Sequence, residues 1–203
     1  MLDVAAMSSI PHLERQIAES AALIDALRGQ APRLAEACVL VVQALGAGGK
    51  VLVAGNGGSA AEALHMAEEL TGRFRHNRRA LPGIALVADT TALTCIGNDF
   101  GFDHIFSRQV EAIGAPGDVL VLLSTSGRAA NLSLALDVAR ARGMRTLCLL
   151  GRAGGQLAGR ADVDVIVPGT ATERIQEAHQ VIVHLLLDAV EEAFPPAPSG
   201  GAI

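Results

Sequence analysis

The chain has 203 residues, half of them hydrophobic and 18% charged, with a formal net charge of −5. That length suits one domain with a sizeable core, and that composition excludes a disordered chain over most of its length. An acidic balance with no Trp, no Tyr and five Phe excludes a general nucleic-acid binder, which needs basic surface and stacking aromatics.

Two helical segments come first, at roughly Ile10–Leu27 and Ala31–Leu45, with Leu13, Ile17, Leu23, Ile24 and Leu27 at helical spacing in the first. Five short apolar, β-branched runs follow: Lys50–Ala54, Gly83–Ala88, Asp118–Leu123, Arg145–Leu150 and Val163–Val167. Continuous apolar runs without alternation suit strands buried on both faces of a parallel sheet. Helical patterns separate them, at Ala60–Phe74, Thr91–Ile96 with Asp103–Ile113, Ala129–Arg142 and Gly155–Gly159. A last helix runs about Ala171–Ala193, with Ile175, Ile182, Leu185, Leu186 and Val190 on its apolar side. Strands alternating with helices predict an α/β fold, a doubly wound five-stranded parallel sheet with extra N-terminal and C-terminal helices. The end helices either cover their own sheet or pack between subunits. The organisation expected is an N-terminal helical segment over 1–34, one domain over 35–194, and a disordered tail, P-P-A-P-S-G-G-A-I, over Pro195–Ile203.

Cys38, Cys95 and Cys148 form no C-x-x-C and have apolar neighbours, which reads as buried free thiols in a reducing compartment. No leader pattern opens the chain, and no apolar run approaches the ~20 residues of a membrane span. A soluble, cytoplasmic protein is expected. Arg73, Arg75, Arg78 and Arg79 form the one basic cluster, which reads first as a solvated loop and second as anion-steering.

Gly55-Asn56-Gly57-Gly58-Ser59 follows the first strand and opens a helix. Glycines let the backbone turn tightly and approach a ligand, and a helix N-terminus favours an anion. Gly55-x-Gly57-x-x-Ala60 also matches a dinucleotide fingerprint, but the acid expected about 20 residues on is missing, since Asp89 comes 34 residues after Gly55. Ser124-Thr125-Ser126-Gly127 follows the third strand and opens another helix. Three hydroxyls at a helix start make a phosphate cradle, beyond the single N-cap that one Ser would provide. In an open α/β sheet both loops lie at the carboxyl ends of strands, where ligands bind.

His65 and Glu69 are four residues apart, on one face of the helix after the glycine loop. They could exchange protons, ligate a metal or form a surface contact. Gln176 and His184 lie eight residues apart on the last helix, ~12 Å along its axis, awkward for joint ligation of one metal. Either Gln176 precedes regular helix or the two come from different chains. His179 sits between them; His76 and His104 read as exposed loop residues. Asn98-Asp99 could bond sugar hydroxyls or be an ordinary turn pair.

Four stretches together resemble the sugar isomerase (SIS) domain family, and within it the isomerases of sedoheptulose 7-phosphate. They are G-N-G-G-S-A-A-E-A-L-H-M-A-E-E-L-T-G-R-F-R, L-T-C-I-G-N-D-F-G-F, S-T-S-G, and R-I-Q-E-A-H with His184 beyond. Their order and spacing cover about Ala35 to Val190. The resemblance implies a flavodoxin-like SIS fold and a homotetramer with active sites between subunits. It implies conversion of sedoheptulose 7-phosphate to D-glycero-D-manno-heptose 7-phosphate, with Glu69 and His184 as the acid/base pair. It implies one zinc per site on His65, Glu69, Gln176 and His184. Sugar-phosphate contacts would come from Asn56, Gly57, Gly58, Ser59, Glu69, Arg73, Asn98, Asp99, Ser124, Thr125, Ser126 and Gln176. Neither a nucleic acid nor a membrane is expected as partner. One departure stands out: where the family usually continues S-T-S-G-[NK]-S, this chain has Arg128 and Ala129, so a phosphate-binding serine is replaced. Two further readings remain open, a non-catalytic SIS module that binds a protein partner and a phosphosugar sensor without turnover.

Overall fold

The computed structural model describes residues 9–196. Its elements are α1 (Ile10–Ala26), α2 (Ala31–Gly46), β1 (Val51–Gly55), α3 (Gly58–Thr71), β2 (Gly83–Ala85), α4 (Thr90–Phe100), α5 (Ser107–Ile113), β3 (Val119–Ser124), α6 (Ala130–Ala141), β4 (Arg145–Gly151), β5 (Val163–Val167) and α7 (Thr172–Ala193). Short 3-10 turns join α1 to α2 and α4 to α5. The strands form one parallel sheet in the order β2-β1-β3-β4-β5. All five apolar runs are therefore strands, and the doubly wound α/β class holds.

Every residue of β1 and β3 is buried, as runs covered on both faces require. Successive side chains serve opposite layers. Val51 and Val53 join Met66, Leu70, Ile182 and Leu186 in the layer under α2, α3 and α7. Leu52 and Ala54 join Phe106, Val110, Leu132 and Leu136 in the layer under α5 and α6. No residue of α1 is buried. It lies against α7, with the Ser20 hydroxyl donating to Glu177 Oε2 (2.5 Å).

The chain departs from the sequence reading in several places. β2 stops at Ala85, because at the sheet edge Ala88 N–H turns back to the Ala85 carbonyl. Gly155–Gly159 is a turn cluster rather than a helix; its backbone packs on the serine loop, where Gln156 and Leu157 N–H groups donate to the Gly127 carbonyl. α4 continues to Phe100, so Asn98 and Asp99 belong to a helix and are not a turn pair. Cys148 is buried, but Cys38 is half-buried and Cys95 exposed, so the three thiols are free without all being buried. The tail expected over Pro195–Ile203 falls outside the described residues beyond Pro196. Among the described residues no helix is long and apolar enough to cross a membrane.

Candidate active site

In the order β2-β1-β3-β4-β5 the winding reverses between β1 and β3. That switch point opens a crevice at the carboxyl ends of the two strands. β1 ends beside β3, with Gly55 paired to Leu123, so the glycine loop and the serine loop leave the sheet side by side. Gly57 has φ +57°, a left-handed backbone that lets the chain reverse into α3 without a side chain in the way. The α3 N-terminus has no side-chain cap; the Ser59 and Ala60 N–H groups donate to the Asn56 and Gly57 carbonyls (3.1 and 3.0 Å), which leaves the N–H groups of Gly57 and Gly58 to a ligand. A Cβ on Gly58 would run into the side-chain amide of Gln176, so glycine is what lets α7 approach the loop.

Across the crevice, Ser124 is buried, and its Oγ accepts the Gly127 N–H (3.0 Å), which closes the serine turn. Thr125 and Ser126 are half-buried and Arg128 is exposed. Ala129 is the N-cap of α6 and makes no side-chain cap, which a serine at this position could supply. Asn56 and Asn131 exchange two amide hydrogen bonds, Asn56 Nδ2 to Asn131 Oδ1 (3.0 Å) and Asn131 Nδ2 to Asn56 Oδ1 (2.9 Å). Asn131 was not singled out from the sequence, and its partner lies 75 residues away.

Two turns along α3, His65 and Glu69 meet His184 of α7. The Nε2 atoms of His65 and His184 stand 3.1 Å apart, and His65 Nε2 is 3.9 Å from Glu69 Oε1. Glu68 approaches His65 Nδ1 at 3.3 Å, and Gln180, also missed from sequence, donates to His184 Nε2 at 3.0 Å. Glu69 Oε2 is buried with no hydrogen-bond partner. Phe74 covers one side, with its ring centroid 5.7 Å from that of His184. Two imidazole nitrogens facing at this distance cannot both carry protons there. Two imidazoles beside a carboxylate oxygen without a partner are residue types that suit a divalent cation, which would take the place of the protons now shared among them. His65, Glu68 and Glu69 alone offer donor atoms within 4.8 Å of one another.

Within one chain Gln176 stands apart from this cluster. α7 is regular from Thr172, so Gln176 does not precede helix, and eight residues separate it from His184, about 12 Å along the axis. It lies at Gly58 instead. Asn98 and Asp99 are exposed on the last turn of α4, with Asn98 Nδ2 donating to Asp99 Oδ1 (2.7 Å). Among the described residues no hydrogen bond joins that pair to either loop. Asp89 caps α4, accepting the Ala92 N–H (2.9 Å), and is committed there rather than to a ribose.

Behind the site, Glu62 of α3 and His179 of α7 face each other in the core at 4.0 Å. Burial pushes the Glu62 carboxyl up to about 7, against a smaller opposing effect of the Ser59 hydroxyl. Burial also pushes His179 down to about 4. Both are therefore neutral in much of the range where their exposed forms would be charged. Ser59 is buried beside Glu62, so the glycine loop offers a ligand its backbone more than that hydroxyl.

The arginine cluster is not one solvated loop. Arg73 is exposed and donates to Asn77 (3.0 Å), Arg75 pairs with Asp188, and Arg79 lies over the Phe194 ring. Arg78 has a side chain only 1% exposed and pairs with Glu191 (3.1 Å). It donates to the carbonyls of Leu70 (2.9 Å) and Glu69 (2.7 Å), which caps the α3 C-terminus and fixes the turn that carries Glu69. The Glu191 carboxylate also accepts the His76 N–H (3.0 Å).

The 2-1-3-4-5 parallel sheet, with its two loops at the switch point and a His/Glu/His set between the flanking helices, is that of a SIS domain, whose family model matches residues 16–151. The chain is 52% identical over 180 residues to a phosphoheptose isomerase of Citrifermentans bemidjiense, covering 88% of this chain and 94% of that one. It is 50% identical over 157 residues to a phosphoheptose isomerase of Vibrio cholerae, covering 77% and 82%. Its fold superposes on a solved phosphoheptose isomerase from Neisseria gonorrhoeae with a TM-score of 0.84 at 42% identity, covering 90% and 98%. The chain belongs to the phosphoheptose isomerase family of SIS-domain proteins.

Proposed function

We propose that the chain is a ketose–aldose isomerase that converts sedoheptulose 7-phosphate to D-glycero-D-manno-heptose 7-phosphate in bacterial heptose synthesis. The observation that carries this reading is the meeting of Glu69, its Oε2 buried and unpaired, with His65 and His184, two helical turns along α3 from the glycine loop. Isomerisation moves a proton between neighbouring carbons through an enediol and needs one group for the carbon proton and another for the oxygens. Glu69 takes the C1 proton and returns it at C2. His184 exchanges protons with the substrate oxygens. Thr125, Ser126, the Gly57 and Gly58 N–H groups and those at the start of α6 hold the phosphate and sugar.

His65, Glu69 and His184 would hold a zinc ion, with Gln176 joining from a second copy of the chain. When bound, zinc would supply Lewis-acid polarisation of the substrate carbonyl. An assembly of four chains with sites between subunits is supported by the separation of Gln176 from His184. It is also supported by the apolar side chains that α1 leaves exposed, among them Ile10 (71%) and Ile17 (68%). A cytoplasmic setting is supported by this substrate and by three cysteines that form no disulfide with one another.

The test is a coupled turnover assay with sedoheptulose 7-phosphate and added zinc, on the wild type and Glu69→Gln. Turnover by the wild type and its loss in the variant are expected. Tight binding of the phosphosugar without turnover would make the protein a sensor instead.

A further inference from the structure

We propose that Asn131 is a positioning residue that sets the separation of the two ligand loops, so that the site favours a ligand spanning both loops over a bare phosphate. The inference rests on the sugar-phosphate reading above and concerns a residue that reading does not use.

Asn131 is the second residue of α6 and is 2% exposed. An Asn in the first turn of a helix ordinarily bonds its own backbone or faces water. This one does neither: its amide reaches across the switch point to Asn56, in the loop after β1. The bonds are reciprocal, at 3.0 and 2.9 Å, so each amide gives one N–H and one lone pair to the other. Two antiparallel bonds between planar amides fix distance and twist together, which a single bond would not. Each amide retains one N–H and one lone pair. Asn56 is half-buried, so its remaining groups are the accessible ones, whereas Asn131 is buried. Asn131 thus acts through Asn56 and the loops, without touching a ligand.

The two ends of the brace belong to different halves of the site. β1 and β3 run in register up to Gly55 and Leu123, and beyond them the chain turns into α3 on one face and α6 on the other. The serine loop is held separately, by its Ser124 turn and by the Gln156 and Leu157 N–H groups on the Gly127 carbonyl. Loss of the brace therefore leaves both turns formed, the glycine loop by its Ser59 and Ala60 N–H bonds, but removes the side-chain tie that fixes one loop relative to the other. A ligand held by one loop tolerates that loss, whereas a ligand held by both does not.

The test measures dissociation constants for sedoheptulose 7-phosphate and for inorganic phosphate by calorimetry, on the wild type, Asn131→Ala and Asn131→Asp, with melting temperatures alongside. Asn131→Asp keeps the size and the acceptor but places an oxygen against Asn56 Oδ1. It carries the test if the Ala variant does not fold. Expected is a loss of about tenfold in heptose phosphate affinity, the scale of two ordinary hydrogen bonds, with inorganic phosphate changed by less than about twofold. A purely structural role would lower the melting temperature and leave the ratio of the two constants unmoved; that result, or an equal loss for both ligands, would overturn the inference. A wild type that binds inorganic phosphate but no heptose phosphate would overturn the functional reading beneath it, and the inference with it.

Discussion

Replacing Arg78 by Met should destabilise the protein severely, although the residue touches neither ligand loop. Its side chain is 1% exposed and its partner Glu191 7%. The guanidinium also donates to the carbonyls of Glu69 and Leu70 and to that of Arg79 (2.9 Å). Removing it strands a buried carboxylate that keeps one donor, the His76 N–H, and takes the guanidinium from the Glu69 carbonyl, whereas the Leu70 carbonyl keeps the Leu81 N–H (3.0 Å). Breaking a buried pair from one side costs about 3–5 kcal/mol, because the remaining charge stays desolvated. For a chain of this size about 2–4 °C of melting temperature accompanies each kcal/mol, so a fall of roughly 6–20 °C is expected. Differential scanning calorimetry at fixed protein concentration measures it. The double variant Arg78→Met/Glu191→Met should recover part of the loss, since no unpaired charge then remains. A fall under about 2 °C in the single variant, or additive losses in the double, would refute the buried pair as a structural element.

Ala129→Ser should stabilise by about 0.5–2 kcal/mol, because Ala129 stands at an N-cap position with no side-chain cap. The same change should tighten inorganic phosphate binding; unchanged melting and phosphate affinity would count against both roles of that position. Stability against pH should expose the Glu62–His179 pair. Glu62 holds its proton up to about pH 7 in the fold but loses it near 4.5 when exposed, so its contribution falls as pH rises through that window. His179 stays neutral down to about 4 in the fold but binds a proton below 6.5 when exposed, so its contribution falls as pH drops from 6.5 toward 4. The two slopes oppose between pH 4.5 and 6.5. Glu62→Gln leaves the His179 slope alone, and its urea midpoint should rise with pH across that window more steeply than the wild type's. Parallel profiles would contradict the pair.

The sheet was legible because its signal is local: five apolar runs are five strands, and Val163–Val167 matches to the residue. The two loops, His65 and Glu69 were also legible from short motifs, and His184 from the resemblance to the family. What stayed hidden depends on partners distant in sequence. Arg78 looks like one of four loop arginines until Glu191, 113 residues on, covers it. Asn131 looks like any polar residue in a first turn until Asn56 faces it. Gly155–Gly159 misled in the other direction, since Gly155 serves backbone contact with the serine loop and not a helix. The place of Gln176 was half legible: spacing already put it about 12 Å from His184 along a helix, and regular helix from Thr172 removes the alternative that it precedes the helix.

The most direct test of the whole account is the turnover of sedoheptulose 7-phosphate by the purified protein with zinc supplied, followed by a coupled assay of the aldose product. Steady production of heptose 7-phosphate, abolished in Glu69→Gln while that variant still binds the substrate, is predicted. Binding without turnover in the wild type, or undiminished turnover in Glu69→Gln, would contradict it.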